Sequence, residues 1–176
     1  MAKTNWAFDP THSEIGFKVK HMMFTNVSGK FNEVEVSVEN EDGNFATSNI
    51  AFSAAISSID TNNSERDNHL KSGDFFDAEV YPKMNFVSTK IEENGSNNYK
   101  VTGDLTIKDV TKPVVLDIEY SGEMKDPWGN IKSGLAIEGK INRKDFGLTW
   151  NAALETGGLL VGEDVKLLAE IQLAKQ

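Results

Sequence analysis

The chain contains no cysteine. That excludes disulfides, thiol nucleophiles and thiolate metal sites. No run of about 18 apolar residues occurs, so no transmembrane helix is expected. Nor does the N-terminal Met1-Ala2-Lys3-Thr4-Asn5-Trp6 resemble the apolar core of a signal peptide. The expectation is a cytoplasmic protein, or a periplasmic or extracellular one if a leader has been removed. Positive charge is also scarce: 18 Lys and Arg stand against 27 Asp and Glu, a net charge of -9. Such a balance disfavours general nucleic-acid binding, which needs a basic surface to displace counterions. It disfavours electrostatic adsorption to an anionic membrane for the same reason. Arg66 and Arg143 are the only arginines, which suggests specific bidentate partners for each.

What the chain has instead is period-2 alternation over 176 residues, the length of one domain. Ile15, Phe17 and Val19 alternate with polar or small residues, as do Val34, Val36 and Val38. The same pattern runs through Val101–Ile107, Val114–Tyr120, Leu135–Ile141 and Val165–Leu173. Each run reads as a strand with one apolar and one wet face, and such strands form antiparallel sheets. Ile50–Ile59 and Met84–Ile91 alternate less cleanly and bring the total to about eight strands. Three connectors read as hairpin turns: Glu41–Asn44, Glu93–Asn98 and Lys125–Asn130. Residues 62–73 lack alternation; they begin with Asn and Ser and end with Gly73, which predicts a short helix. Long strands in hairpin order favour a closed barrel over a sandwich. An eight-stranded barrel is either filled by side chains or holds one small ligand, apolar if the inward Phe, Ile, Leu and Val line it.

The candidates for chemistry are weak. His12, His21 and His69 have no ligand-like spacing for zinc. His12 and Ser13 would point to opposite faces of a strand, so a nucleophile–base pair is not expected; Thr11 or Ser13 capping a turn after Pro10 is. Asp74 and Asp77 flank Phe75-Phe76, and two rings plugging one barrel end is preferred over a glycosidase-like acid pair. Arg66 would either meet an anionic ligand head near a helix N-terminus or form an ion pair within its own loop. Arg143 would pair with a local acid or guard a pocket mouth. Gly157-Gly158 lacks the Gly-Lys-Ser/Thr ending of a phosphate loop and reads as a mobile connector at the mouth.

The ordered series Phe8-Asp9-Pro10-Thr11-His12-Ser13, Val27-Ser28-Gly29-Lys30-Phe31, Ser58-Ile59-Asp60-Thr61, Arg66-Asp67-Asn68-His69-Leu70, Asp74-Phe75-Phe76-Asp77, Tyr81-Pro82-Lys83-Met84-Asn85-Phe86 and Ile141-Asn142-Arg143-Lys144-Asp145-Phe146-Gly147 resembles the YceI-like family of lipocalin-like, polyisoprenoid-binding proteins. The resemblance runs nearly end to end. It implies an all-β, eight-stranded antiparallel barrel, usually a homodimer, around an elongated apolar pore. The ligand it implies is a polyisoprenoid, an isoprenoid quinone or a fatty-acid derivative. It brings no catalytic residue, metal or cofactor. One departure is Asp109, where the family often has Gly, which places the geometry of that hairpin in question. On alternation and resemblance together, the pore-binding residues are Phe17, Val19, Phe31, Phe52, Phe75, Phe76, Phe86, Leu105, Ile107, Phe146 and Trp150. His21, Arg66, His69 and Arg143 are its polar members. The alternatives are a lipid-modifying enzyme using His21, His69 or Arg66 in the same pore, and a filled barrel acting as an interaction module.

Overall fold

The computed structural model describes every residue except Met1, Met23, Ala153 and 155–159. Its strands are β1 (Lys3–His21), β2 (Thr25–Phe31), β3 (Val34–Glu41), β4 (Asn44–Ala55), β5 (Ile59–Asp60), β6 (Lys83–Glu93), β7 (Asn98–Ile107), β8 (Val110–Lys125), β9 (Ile131–Asn142) and β10 (Val161–Lys175). All pairings are antiparallel, and β10 pairs with β1 to close the sheet. β2 and β3 lie along successive halves of one edge of β1, acting as a single bent stave, and β5 is a two-residue bridge on β2. The result is a closed eight-stranded barrel with one short helix, as expected.

Turn chemistry explains the hairpins. Asp42 and Gly43 both adopt positive φ (52° and 74°), the twist that joins β3 to β4 with a two-residue turn. At the β7–β8 turn the left-handed residue is Lys108 (φ 58°), not Asp109. The Asp in place of Gly therefore sits where any residue fits, and the doubt over that hairpin falls away.

Two regions depart from the sequence reading. β1 begins at Lys3, well before the alternation at Ile15, because its middle is a bulge. There the Asp9 carboxylate accepts bonds from the Thr11 amide (3.0 Å) and hydroxyl (2.7 Å) and contacts the His12 Nδ1 (2.9 Å). The Ser13 hydroxyl donates to the Asp9 carbonyl (2.6 Å) and accepts from the Gln172 amide (2.9 Å). His12 and Ser13 thus serve the bulge and form no dyad. β2 is the second departure, since Thr25–Phe31 has little alternation to announce it.

The helix α1 (Ser64–Lys71) falls inside the predicted segment. The Asn63 side chain caps it by accepting from the Arg66 amide (3.0 Å), with Glu65 and Asp67 in the first turn and Lys71 in the last. Its last residue is Lys71 and Ser72 caps it, one residue before the expected Gly73.

Candidate binding cavity

The inward faces of the strands divide the barrel into two halves. At the end carrying the chain termini, side chains fill the lumen. The Phe45 ring lies edge-on to Tyr99 (4.7 Å between centroids) and stacks on Tyr120 (4.8 Å). Trp6 Nε1 donates to the Asn40 Oδ1 (3.3 Å), and the Asn40 amide donates to the Ser48 hydroxyl (3.2 Å). Burial pushes the Tyr99 and Tyr120 phenols above their ordinary range. Val101 and Leu173 close the packing.

At the other end the lumen is hollow. A cavity of about 190 Å³ is lined by Phe17, Val19, Phe31, Phe52, Phe75, Phe76, Phe86, Leu105, Ile107 and Arg143, together with many aliphatic side chains. Two glycines shape its walls. A Cβ on Gly103 would lie 2.3 Å from the Phe86 ring, and one on Gly29 would lie 2.4 Å from Phe17. Both rings therefore lie over bare backbone on a neighbouring strand instead of projecting into the lumen. Phe75 and Phe76 approach from the segment after α1, as the plug expected for Asp-Phe-Phe-Asp. Leu70 of α1 also reaches the lining.

Arg143 is the single charged residue among the lining side chains and is only 3% exposed. It has no carboxylate partner among the described residues. Instead its guanidinium donates to four carbonyls: Gly162 (2.7 Å), Leu148 (2.6 Å), Trp150 (2.9 Å) and Val161 (3.3 Å). Desolvation lowers its pKa, with only the charge of Glu163 opposing. It ties the backbone on either side of residues 155–159 to the top of β9. The expected local acid for Arg143 is thus replaced by main-chain oxygen.

Five of the nominated pore residues lie outside the lining. Arg66 donates from Nε to the Thr61 hydroxyl (2.8 Å) and from Nη2 to the Thr61 carbonyl (2.6 Å). Asp67 accepts from the same Thr61 amide (2.9 Å) and hydroxyl (2.5 Å), so the pair clamps α1 onto β5. Arg66 is satisfied by this clamp, lies outside the cavity lining and has no ion-pair partner among the described residues. His69 contacts Asp74 (2.9 Å) and packs edge-on against Trp150 (4.7 Å) and Phe75 (5.0 Å). His69 and Trp150 therefore back the plug from outside. Phe146 is buried in the core at the end of the 3₁₀ turn Arg143–Phe146, and His21 sits at the end of β1 opposite Thr25 and Val161. Conversely, Ile15, Val36, Ile50, Ile137, Val165 and Leu167 line the cavity and were not nominated. Their alternation was visible, but nothing in it separates the hollow half from the filled one. Gly157-Gly158 lies outside the described residues.

Among the described residues no group of three or more His, Asp or Glu is gathered. The fold and the lumen define the class: a closed antiparallel barrel with an internal apolar cavity at one end. Comparison then gives the family. The chain belongs to the YceI-like domain family, whose model matches residues 6–173. A UPF0312 protein of Staphylococcus aureus is 41% identical over 172 residues, covering 97% of this chain and 98% of that protein. The crystal structure of a Campylobacter jejuni YCEI protein is 33% identical, with a TM-score of 0.76 over 89% of this chain and 90% of that one. A polyisoprenoid binding domain from Saccharophagus degradans shares the fold at 12% identity, with a TM-score of 0.63 over 98% of each chain.

Proposed function

We propose that this protein is a non-catalytic binder of a long-chain apolar lipid, such as a polyisoprenoid, an isoprenoid quinone or a fatty-acid derivative. The observation that carries the reading is the hollow half of the barrel, whose lining is apolar apart from Arg143. Burial of apolar surface is worth roughly 0.8 kcal/mol per methylene, so ten methylenes would contribute roughly 8 kcal/mol before the entropic cost of binding. A dry cavity of about 150 Å³ takes a benzene-sized guest. The 190 Å³ here therefore holds on the order of one or two isoprene units as it stands. A longer chain requires the Phe75–Phe76 plug to shift or the chain to emerge at the mouth. The Saccharophagus degradans domain, described as polyisoprenoid binding, supports the ligand class by shared fold.

A carrier is preferred to a lipid-modifying enzyme because His21, His69 and Arg66 lie outside the cavity lining. A filled interaction module is disfavoured by the cavity itself. The homodimer and the cytoplasmic location belong to this proposal; light scattering and fractionation of the source cell test them. Native mass spectrometry of gently purified protein, followed by titration with a prenyl quinone and a fatty acid, tests the reading. Co-purified lipid or one-to-one uptake per chain is expected. Neither co-purified lipid nor uptake of either probe would overturn it.

A further inference from the structure

A barrel that holds an insoluble guest must meet the membrane that supplies it, and the surface at the hollow end has the composition for that encounter. The connection from β1 to β2, with Met22 and Phe24, lies there. Phe24 is 83% exposed and Met22 is 43% exposed. Both lie just past His21, which pairs with Val161, and so near Val19 and Val161 of the cavity lining. Met22 is fixed in place by its amide, which donates to the Leu160 carbonyl (2.8 Å).

The outer face beside this tip carries an unusual row. Lys18 of β1 stands directly opposite Lys166 of β10, and Lys166 stands directly opposite Lys140 of β9. Lys20 follows two residues nearer the tip, and all four lysines are exposed. Like charges directly opposite on a sheet are destabilising. In a chain of net charge -9, acids to neutralise such a row are plentiful, yet only Lys140 is paired, with Asp164 (3.2 Å). Glu163, the next acid along β10, is engaged by Lys144 (2.8 Å). Lys18, Lys20 and Lys166 have no ion-pair partner among the described residues. An unfavourable arrangement only partly compensated among the described residues fits an external anionic partner.

We infer that the hollow end docks on an anionic lipid bilayer, with Phe24 and Met22 entering the interface and the Lys18–Lys166–Lys140 row, with Lys20, resting on lipid head groups. An apolar tip flanked by lysine is the pattern of peripheral insertion. The net acidity that disfavours membrane adsorption of the whole chain is overridden locally, because a bilayer's field falls off within a Debye length, about 10 Å at 0.1 M salt. The opposite end makes the contrast. Trp128 is equally exposed at 83%, on the β8–β9 turn, but the lysines beside it, Lys125 and Lys132, stand opposite Ile131 and Met124 and not opposite one another. The inference rests on the proposed lipid pore for its purpose, not for its geometry.

The test is co-sedimentation of the full chain with phosphatidylcholine vesicles containing or lacking phosphatidylserine, alongside uptake of a fluorescent fatty acid in solution. Binding is expected only with phosphatidylserine and is expected to weaken with salt. A lysine near an anionic surface contributes about 1 kcal/mol, so each of Lys18→Glu and Lys166→Glu should weaken binding at least about five-fold. Phe24→Ser should abolish most of it, while Trp128→Ser should leave it unchanged. Fatty-acid uptake in solution should survive all four exposed-site changes, which also shows that the variants fold. Vesicle binding that is absent, or that follows Trp128 instead of Phe24, would overturn the docking inference and leave the pore standing. Vesicle binding without any uptake would overturn the pore and leave the docking surface.

Discussion

The two halves of one barrel use the same strands and the same alternation for opposite ends. Where Trp6, Phe45, Tyr99 and Tyr120 meet, rings interlock and the lumen is solid. Where Phe17, Phe31, Phe75 and Phe76 meet, rings line a void. Aromatic content does not separate them; ring orientation does. In the filled half Phe45 is clasped between two tyrosines. In the hollow half, Gly29 and Gly103 let Phe17 and Phe86 fold back over the sheet. The filled half supplies the stability that lets the other half remain empty, since a void forfeits packing contacts on its walls.

Breaking the filled half should have the largest effect. Phe45→Ala removes a fully packed ring and should destabilise by about 3–5 kcal/mol in urea titrations. Phe75→Ala, at the wall of an existing void, should cost less, about 2 kcal/mol, while shifting lipid preference toward longer chains. Next comes a pair that reverses sign between the halves. Val101→Phe overpacks the solid end and should destabilise by about 1–3 kcal/mol. Ala169→Phe fills the void; stability should hold or rise by about 0.5–1 kcal/mol while fatty-acid uptake falls at least about ten-fold. If both changes destabilise equally, the halves do not differ in packing. Gly103→Ala should cost about 1–3 kcal/mol, because its methyl meets the Phe86 ring and Val87 carbonyl, and should shrink the cavity by pushing that ring inward.

The smallest expected effect is a pH dependence outside both halves. The Thr11 hydroxyl first, and the His12 imidazole second, hold the Asp9 carboxyl down at about 2 against an ordinary 3.8. A folded-state pKa below the unfolded one gives stability that is present above about 3.8 and is lost as pH falls through about 2. Because the bulge is solvent-accessible, the contribution is screened and small. Asp9→Asn should flatten the stability profile across that window and lower stability slightly at neutral pH, where the contribution is fully present. An unaltered acid limb would show that the bulge does not depend on the charge.

Much of the fold was legible because strand alternation is a local signal. Ile15–Val19, Val34–Val38 and Val114–Tyr120 point inward in the phase their sequence suggests, and the Asp42-Gly43 turn was readable from two residues. The start of β1 was not, since a bulge held by Asp9 and Ser13 breaks the period. The site was legible only where a large ring and a strand phase coincided. Ile137 and Leu173 look alike in sequence, yet one lines the void and the other fills the opposite end. That distinction depends on which rings lie across which glycines from other strands. The polar members were the hardest to place. The scarcity of arginine pointed to a specific partner for each of Arg66 and Arg143 but not to which one: Thr61 satisfies the first and four backbone carbonyls the second.

The central claim is that one half of the lumen, and only that half, is a lipid site. A crystal structure with a terminally brominated fatty acid tests it most directly, because the anomalous signal locates the chain end. The account predicts a bromine peak among Phe17, Phe31, Phe76 and Leu167. A peak confined to the barrel's exterior, or a crystal soaked or co-crystallised with the probe that shows none inside the barrel, would contradict it.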